Sequence, residues 1–297
     1  MSVDEGPWRT EAVEIIRAAS GGLLFGVPLL YTMEVWWVGT HTEPAQMLTL
    51  LVLLALPLLA LNMTAGFRST RDVRLRDALA DTVEAIAIGI VVTAFVLVML
   101  RELRTTTPLT SSLGKVLYES VPFCLGVGVA RHLLTGNPAL TDDDGGSAGG
   151  GDLADVDGPR GVDDTKALDS SLADLGATIL GATFIGLSIA PTDEVPMIAS
   201  TMGPAWQLVV VAISLATSYA IVFVAGFARQ DHRHAQSGIF QRPGAETVVT
   251  YLAALIIAAL LLWVFQRGVH PPADLLSRTI VLGFPAAIGG AVGRLAL

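Results

Sequence analysis

Apolar residues along this chain gather into long blocks, not into the alternation of a half-buried strand or the single stripe of a soluble amphipathic helix. A helix needs about 20 mostly apolar residues to cross a hydrocarbon core about 30 Å thick. Eight blocks meet that requirement, at 18–38, 45–67, 81–100, 114–134, 172–191, 205–228, 246–265 and 277–296. Each is bounded by Arg, Asp, Glu, Pro or Gly. The second and the seventh are apolar around their whole circumference, as lipid-embedded helices are. The fourth carries Glu119, Pro122, Arg131 and His132, a pattern that also describes a re-entrant or surface helix. The fold class expected is all-α: a polytopic membrane protein with eight transmembrane helices.

The blocks repeat. Laid 160 residues apart without a gap, Gly26 falls on Gly186, Thr32 on Thr192, Glu34 on Glu194, Val35 on Val195, Pro44 on Pro204, and Ala65-Gly66-Phe67 on Ala225-Gly226-Phe227. With a small shift, Asp81 falls on Glu246, Thr82-Val83 on Thr247-Val248, Lys115 on Arg278, Pro122 on Pro285 and Arg131 on Arg294. Four helices bring a chain back to the side it started from, so the halves are expected to be two parallel four-helix repeats about an axis along the membrane normal. The organisation expected is a cytoplasmic segment 1–17, a first repeat 18–134, a linker 135–171 and a second repeat 172–297. The linker is rich in Gly and Asp and reads as disordered and cytoplasmic. Gly149, Gly151 and Asp152 in it spell the GxGD string of intramembrane aspartyl proteases, but outside any helix.

Charge sets the orientation. Only 15% of the 297 residues are charged, against about 25% in a soluble domain. Arg9, Arg17, Arg68, Arg71, Arg74, Arg76, Arg131, Arg160, Lys166, Arg229, Arg233, Arg242 and Arg294 fall on one side of an eight-span topology. Arg101, Arg104, Lys115, Arg267 and Arg278 fall on the other. The positive-inside rule then places both termini in the cytoplasm of a cell membrane. Asp4, Glu5, Glu11 and Glu14 before the first block argue for a retained helix over a cleaved leader. The net charge of -9 speaks against nucleic acid, and the single Cys124 against a disulfide framework or thiolate cluster. The partners expected are the lipid bilayer and a small ion or solute, with a homo-oligomer compatible.

Ionisable groups inside a span cost about 2.5–3.5 kcal/mol each at its centre, which makes them candidates for function. Glu34 lies 17 residues after Arg17, about 25 Å along a helix and near the outer interface, as does its mate Glu194. The two carboxylates either attract or coordinate a cation, or accept a transported proton, or else pair with Lys115 and Arg278, which begin helices on that side. On the inner side Asp81 and Glu246 cap helices, within reach of Arg131 and Arg294, as a structural clamp or a gate in each half. Glu84, one turn deeper and without an acidic mate, is the leading candidate for a protonatable site; Glu119, whose mate is Leu282, also breaks the symmetry. No hydrolase, nucleotide-binding or metal-ligand motif occurs, so neither an enzyme nor a metal or cofactor is expected.

The strings `GLLFGVPLLYTMEVWWVG` (Gly22 to Gly39) and `RSTRDVRLRDALADTVEAIAIG` (Arg68 to Gly89) resemble a family of prokaryotic integral membrane proteins without an assigned activity, over nearly the whole chain. The stretch `RDALADTVEAIAIG` is also similar to the first helix of potassium channels with an R-x-x-x-F-S-D element. Leu79 and Ala80 replace the Phe and Ser of that element and only Asp81 remains. Two Lys among 18 basic residues and the Asp-rich linker resemble a haloarchaeal protein. The function expected is a channel or secondary transporter for a small ion or solute, with its path between the halves. The alternative is a non-transporting scaffold or sensor that acts through the linker and loops.

Overall fold

The computed structural model describes residues 7–64, 75–133, 161–225, 243–267 and 271–296, and within these the side chains of 7, 64, 131–133, 161–173 and 296 are not described. The linker core, the cluster Arg68, Arg71 and Arg74, and the Arg131 side chain, with the clamp expected for it, lie outside the described residues. All described secondary structure is helical: α1 (Pro7–Leu30), α2 (Met33–His41), α3 (Pro44–Thr64), α4 (Leu75–Met99), α5 (Leu109–Leu133), α6 (Gly161–Ile189), α7 (Glu194–Ser200), α8 (Pro204–Tyr219), a π-helical turn (Ala220–Val224), α9 (Pro243–Val264) and α10 (Pro272–Ala296). Seven helices are long and apolar enough to cross a bilayer, and α6 with α7, bent by 89°, makes up to an eighth.

Seven of the eight expected blocks appear as single long helices among the described residues, the fifth as the bent pair α6 and α7, and the boundaries differ. α1 begins at Pro7, inside the segment expected to precede it, and stops at Leu30, short of the expected 38. Pro28 weakens its last turn, Thr32 is extended, and the Trp36 indole donates to the Leu30 carbonyl at 2.8 Å, which holds α2 against the break. Trp36 is therefore buried, whereas its neighbour Trp37 is exposed. α6 begins at Gly161, inside the stretch expected to be linker. Proline opens α1, α3, α8, α9 and α10, where its missing amide has no helical partner to lose.

α4 and α9 end alike. Arg101 and Gln266 adopt left-handed backbones with φ of 63° and 58°. After α4 the Glu102 amide donates to the Leu97 carbonyl at 2.9 Å, and after α9 the Arg267 amide donates to the Leu262 carbonyl at 2.7 Å. Both are Schellman closures with a non-glycine residue at the strained position.

The same packing recurs in each half. α1 lies along α5 and α6 along α10, each pair antiparallel, with α4 beside α5 and α9 beside α10. Gly21 abuts Gly126 in the first pair and Gly181 abuts Gly289 in the second, backbone to backbone. α10 is the most enclosed span, 72% buried, while α3 is only 11% buried and turns almost all of its apolar surface outward.

Candidate functional site

Most exposed large side chains on the bundle are apolar, so the buried polar groups are the informative ones. One group of them lies at the end of the bundle where α10 finishes and α9 begins. α10 carries Arg294 in its last turn, 2% exposed, and α9 carries Glu246 in its first. Each side chain complements the dipole of its own helix end. The guanidinium forms an ion pair with the Glu246 carboxylate and stands 5.8 Å over the ring of Phe223 from the π-helical turn. Thr178 of α6, Ser218 of α8, and Thr250 and Tyr251 of α9 complete the lining of a crevice too narrow to admit a water molecule. Thr178 donates to the Asp174 carbonyl at 2.8 Å and Thr250 to the Glu246 carbonyl at 2.9 Å. The Ser218 and Tyr251 hydroxyls are buried with no hydrogen-bond partner among the described residues. An unpartnered buried polar group costs roughly 1–3 kcal/mol, so two of them beside an ion pair mark a strained polar spot in an apolar bundle. The π-helical turn Ala220–Val224 flanks it, a backbone irregularity frequent at functional sites.

The sequence anticipated Arg294 with Glu246, and the structure brings them together. It separates the two pairs expected at the opposite end. Lys115 bonds Glu102 at 3.1 Å instead of Glu34, because the Schellman turn at Arg101 delivers the loop carboxylate to α5. Arg278 donates to the Arg267 carbonyl at 2.8 Å instead of pairing with Glu194. The carboxylates 34 and 194 do not form a symmetric mouth: Glu34 is exposed, whereas Glu194 is 7% exposed and accepts the Met33 amide at 3.1 Å. Thr32, the N-cap of α2, makes no side-chain cap bond, so Glu194 caps that helix from the other half. Glu194→Ala is expected to lose about 1 kcal/mol, the usual scale of an N-cap, while Glu194→Gln retains most of it. The shift in unfolding midpoint in detergent measures both.

Asp81 and Glu84 are exposed on α4, so depth along the helix did not translate into burial. Glu119 is the deeply buried carboxylate, 1% exposed, with Oε1 lacking a hydrogen-bond partner among the described residues. The hydroxyls of Ser218, Thr250 and Tyr251 were missed because isolated Ser, Thr and Tyr are ordinary in apolar helices. Their signal was periodicity: Thr247, Thr250, Tyr251, Ala254 and Ala258 recur at helical spacing as the small and polar stripe of an otherwise apolar α9, and all are buried.

Among the described residues the seam between the halves is packed. Val27, Leu30, Val96 and Leu97 merge with Ile189, Val195, Ile198 and Val281 in one buried apolar cluster. Direct bonds cross it at several levels: Arg17 Nε to the Ala225 carbonyl (2.6 Å), the Tyr31 hydroxyl to the Val281 carbonyl (3.0 Å), and the Trp206 indole to the Met99 carbonyl (2.7 Å).

No curated protein and no solved structure is significantly similar to this chain. Residues 14–297 match a family model described as "Putative integral membrane protein (DUF2391)". With up to eight spans, an all-helical bundle and that match over nearly its whole length, the chain belongs to the DUF2391 family of multi-pass integral membrane proteins.

Proposed function

We propose that the protein moves a small ion or solute across the bilayer through its own bundle, with the Arg294–Glu246 pair as the closure at the end that holds the start of α1 and the finish of α10. The observation that carries this reading is the polar crevice. A bundle that needs only to be stable gains little from an ion pair and unpartnered hydroxyls among apolar helices, since well-packed apolar residues of similar volume serve as well or better. The π-helical turn beside the pair gives α8 a place to change its hydrogen bonding without unfolding. The seam is packed, so this reading puts the route within the C-terminal half, between α6, α8, α9 and α10.

The halves are read as parallel copies of one four-span unit. In support, the repeat-related glycines make the same contact in each half, and the repeat-related residues Arg101 and Gln266 close α4 and α9 in the same way. The distribution of Arg and Lys then turns the closed end toward the cytoplasm of a cell membrane.

Proteoliposomes containing the purified protein, given gradients of protons, sodium, potassium and chloride, test the reading. Wild-type flux of at least one ion is expected above that of empty vesicles. Glu246→Gln is expected to change it about tenfold, the factor that roughly 1.4 kcal/mol gives in a closed-to-open ratio. Absence of flux for every ion of a broad panel, with the protein folded and inserted, overturns the reading in favour of a non-transporting scaffold or sensor.

A further inference from the structure

Glu119 sits eleven residues into α5 counted from Leu109, about 15 Å along a helix of 25 residues and so near mid-span. It is 1% exposed, and its Oε1 has no hydrogen-bond partner among the described residues. Taking an isolated carboxylate from water into an apolar interior costs far more than taking the neutral acid, so such a group holds a proton wherever it lacks a compensating charge.

Among the described residues, the one compensating charge that acts on it is the Lys115 ammonium. Lys115, one turn away on the same helix, is committed to the Glu102 carboxylate at 3.1 Å. α1, α2, α3 and α4 pack against α5. On α1 the Tyr31 hydroxyl is taken by the Val281 carbonyl, and Arg9, Glu11, Glu14 and Arg17 lie toward its other end, where Arg17 holds the Ala225 carbonyl. On α2 Glu34 and His41 are exposed. α3 carries no ionisable side chain, although Glu43 precedes it, exposed. On α4 Arg76, Asp77, Asp81 and Glu84 are exposed and belong to its first half; Gly89 of α4 meets Cys124, which sets those charges about three to five turns from Glu119's level.

The helix also has a hinge at this place. Pro122 has no amide hydrogen, so the Tyr118 carbonyl, adjacent to Glu119, loses its donor one turn on. Beyond the hinge α5 is held tightly to α1, where Phe123 fills the space beside Gly26 and Gly126 abuts Gly21. Before it, α5 is tied to the loop through Lys115 and Glu102.

We propose that Glu119 is an intramembrane proton-binding site, carrying its proton in the packed bundle and exchanging it with water when α5 bends about Pro122. Where the transport reading above holds, this adds a proton site on α5, apart from the route between α6, α8, α9 and α10. The site itself stands or falls separately.

Dicyclohexylcarbodiimide, neutral and lipid-soluble, is the probe. An un-ionised carboxyl adds across its C=N bond to give an O-acylisourea, which rearranges to a stable N-acylurea without any redox partner. Full-length protein in phosphatidylcholine vesicles is labelled over a pH series and cleaved with trypsin. The peptide 116–131 contains Glu119 as its only carboxyl side chain, so an adduct there reports on it alone. The expected result is one adduct located on Glu119, falling about tenfold per pH unit above its midpoint. A charged, water-soluble carbodiimide is expected to leave the peptide unmodified. Glu119→Gln is expected to abolish the adduct; should that variant fail to fold, Glu119→Asp, which keeps the carboxyl, is expected to retain it. No adduct on 116–131 at any pH from mildly acidic to mildly alkaline, or equal labelling by the water-soluble reagent, overturns the proposal. Labelling without flux of any ion leaves the proton site standing and removes the transport reading; flux with Glu119 never labelled does the reverse.

Discussion

Glu246→Leu is expected to destabilise the folded bundle by about 3–5 kcal/mol, the range found when one member of a buried ion pair is removed. The loss comes from what it leaves behind. Arg294 is 2% exposed and stays in place as an uncompensated guanidinium, with the Phe223 ring face as an attraction worth about 2 kcal/mol at most in such a setting. Arg294→Met is expected to cost less, because the Glu246 side chain is 16% exposed and sits where α9 begins, close enough to the bundle surface to rehydrate. The double variant Glu246→Leu with Arg294→Met is expected to regain most of the stability, since apolar residues of similar volume replace a buried pair nearly neutrally. Denaturant titration of the four proteins in one detergent gives the coupling energy directly. Single variants that each shift stability by less than the measurement error, and add, would show that the pair carries no such strain.

Gly289→Val is expected to cost about 3 kcal/mol or to prevent folding, the upper end of what overpacking does. A Cβ at Gly289 runs into the Gly181 carbonyl and the Ile185 side chain, and one at Gly181 runs into the Gly289 backbone. Backbone cannot rotate away as a side chain does, so α6 and α10 must separate, losing dispersion contacts along a pair that organises the whole C-terminal half. Gly126→Val is expected to act comparably on α1 and α5, where Gly21 is the obstacle. Gly176 supplies the internal comparison: nothing lies within 4 Å of its Cβ position, so Gly176→Ala is expected to stabilise α6 by roughly 0.5–1 kcal/mol through helix propensity alone. Thermal unfolding in detergent ranks the three variants, and a Gly289→Val protein as stable as Gly176→Ala would contradict the close approach.

These cases also divide what was legible in the residue order from what was not. Arg294 and Glu246 could be matched in advance because each stands at a helix end, and helix ends on one side of a membrane share a depth. The pairs Glu34–Lys115 and Glu194–Arg278 obeyed the same depth rule and did not form. What separated them was a break in α1 at Tyr31 and Thr32 and two left-handed closures at Arg101 and Gln266. Each of these turns redirects a side chain by several ångströms without leaving a Gly or Asn signature. Glu84 and Glu119 reverse their expected ranks for a different reason. In α4 and α5 apolar residues surround the helix on every side, so no hydrophobic stripe announces which face meets protein and which meets lipid.

The residue order alone therefore determined that this is a chain of membrane-spanning helices. Block length and apolar content are properties of each segment by itself, set by bilayer thickness and the demand that every backbone group be satisfied within a helix. Only the tertiary structure decided which carboxylate is enclosed, which hydroxyls lack partners and where the halves are sealed. Those depend on the rotation of each helix about its axis, and that rotation is set by glycine contacts and proline bends between segments far apart in the chain.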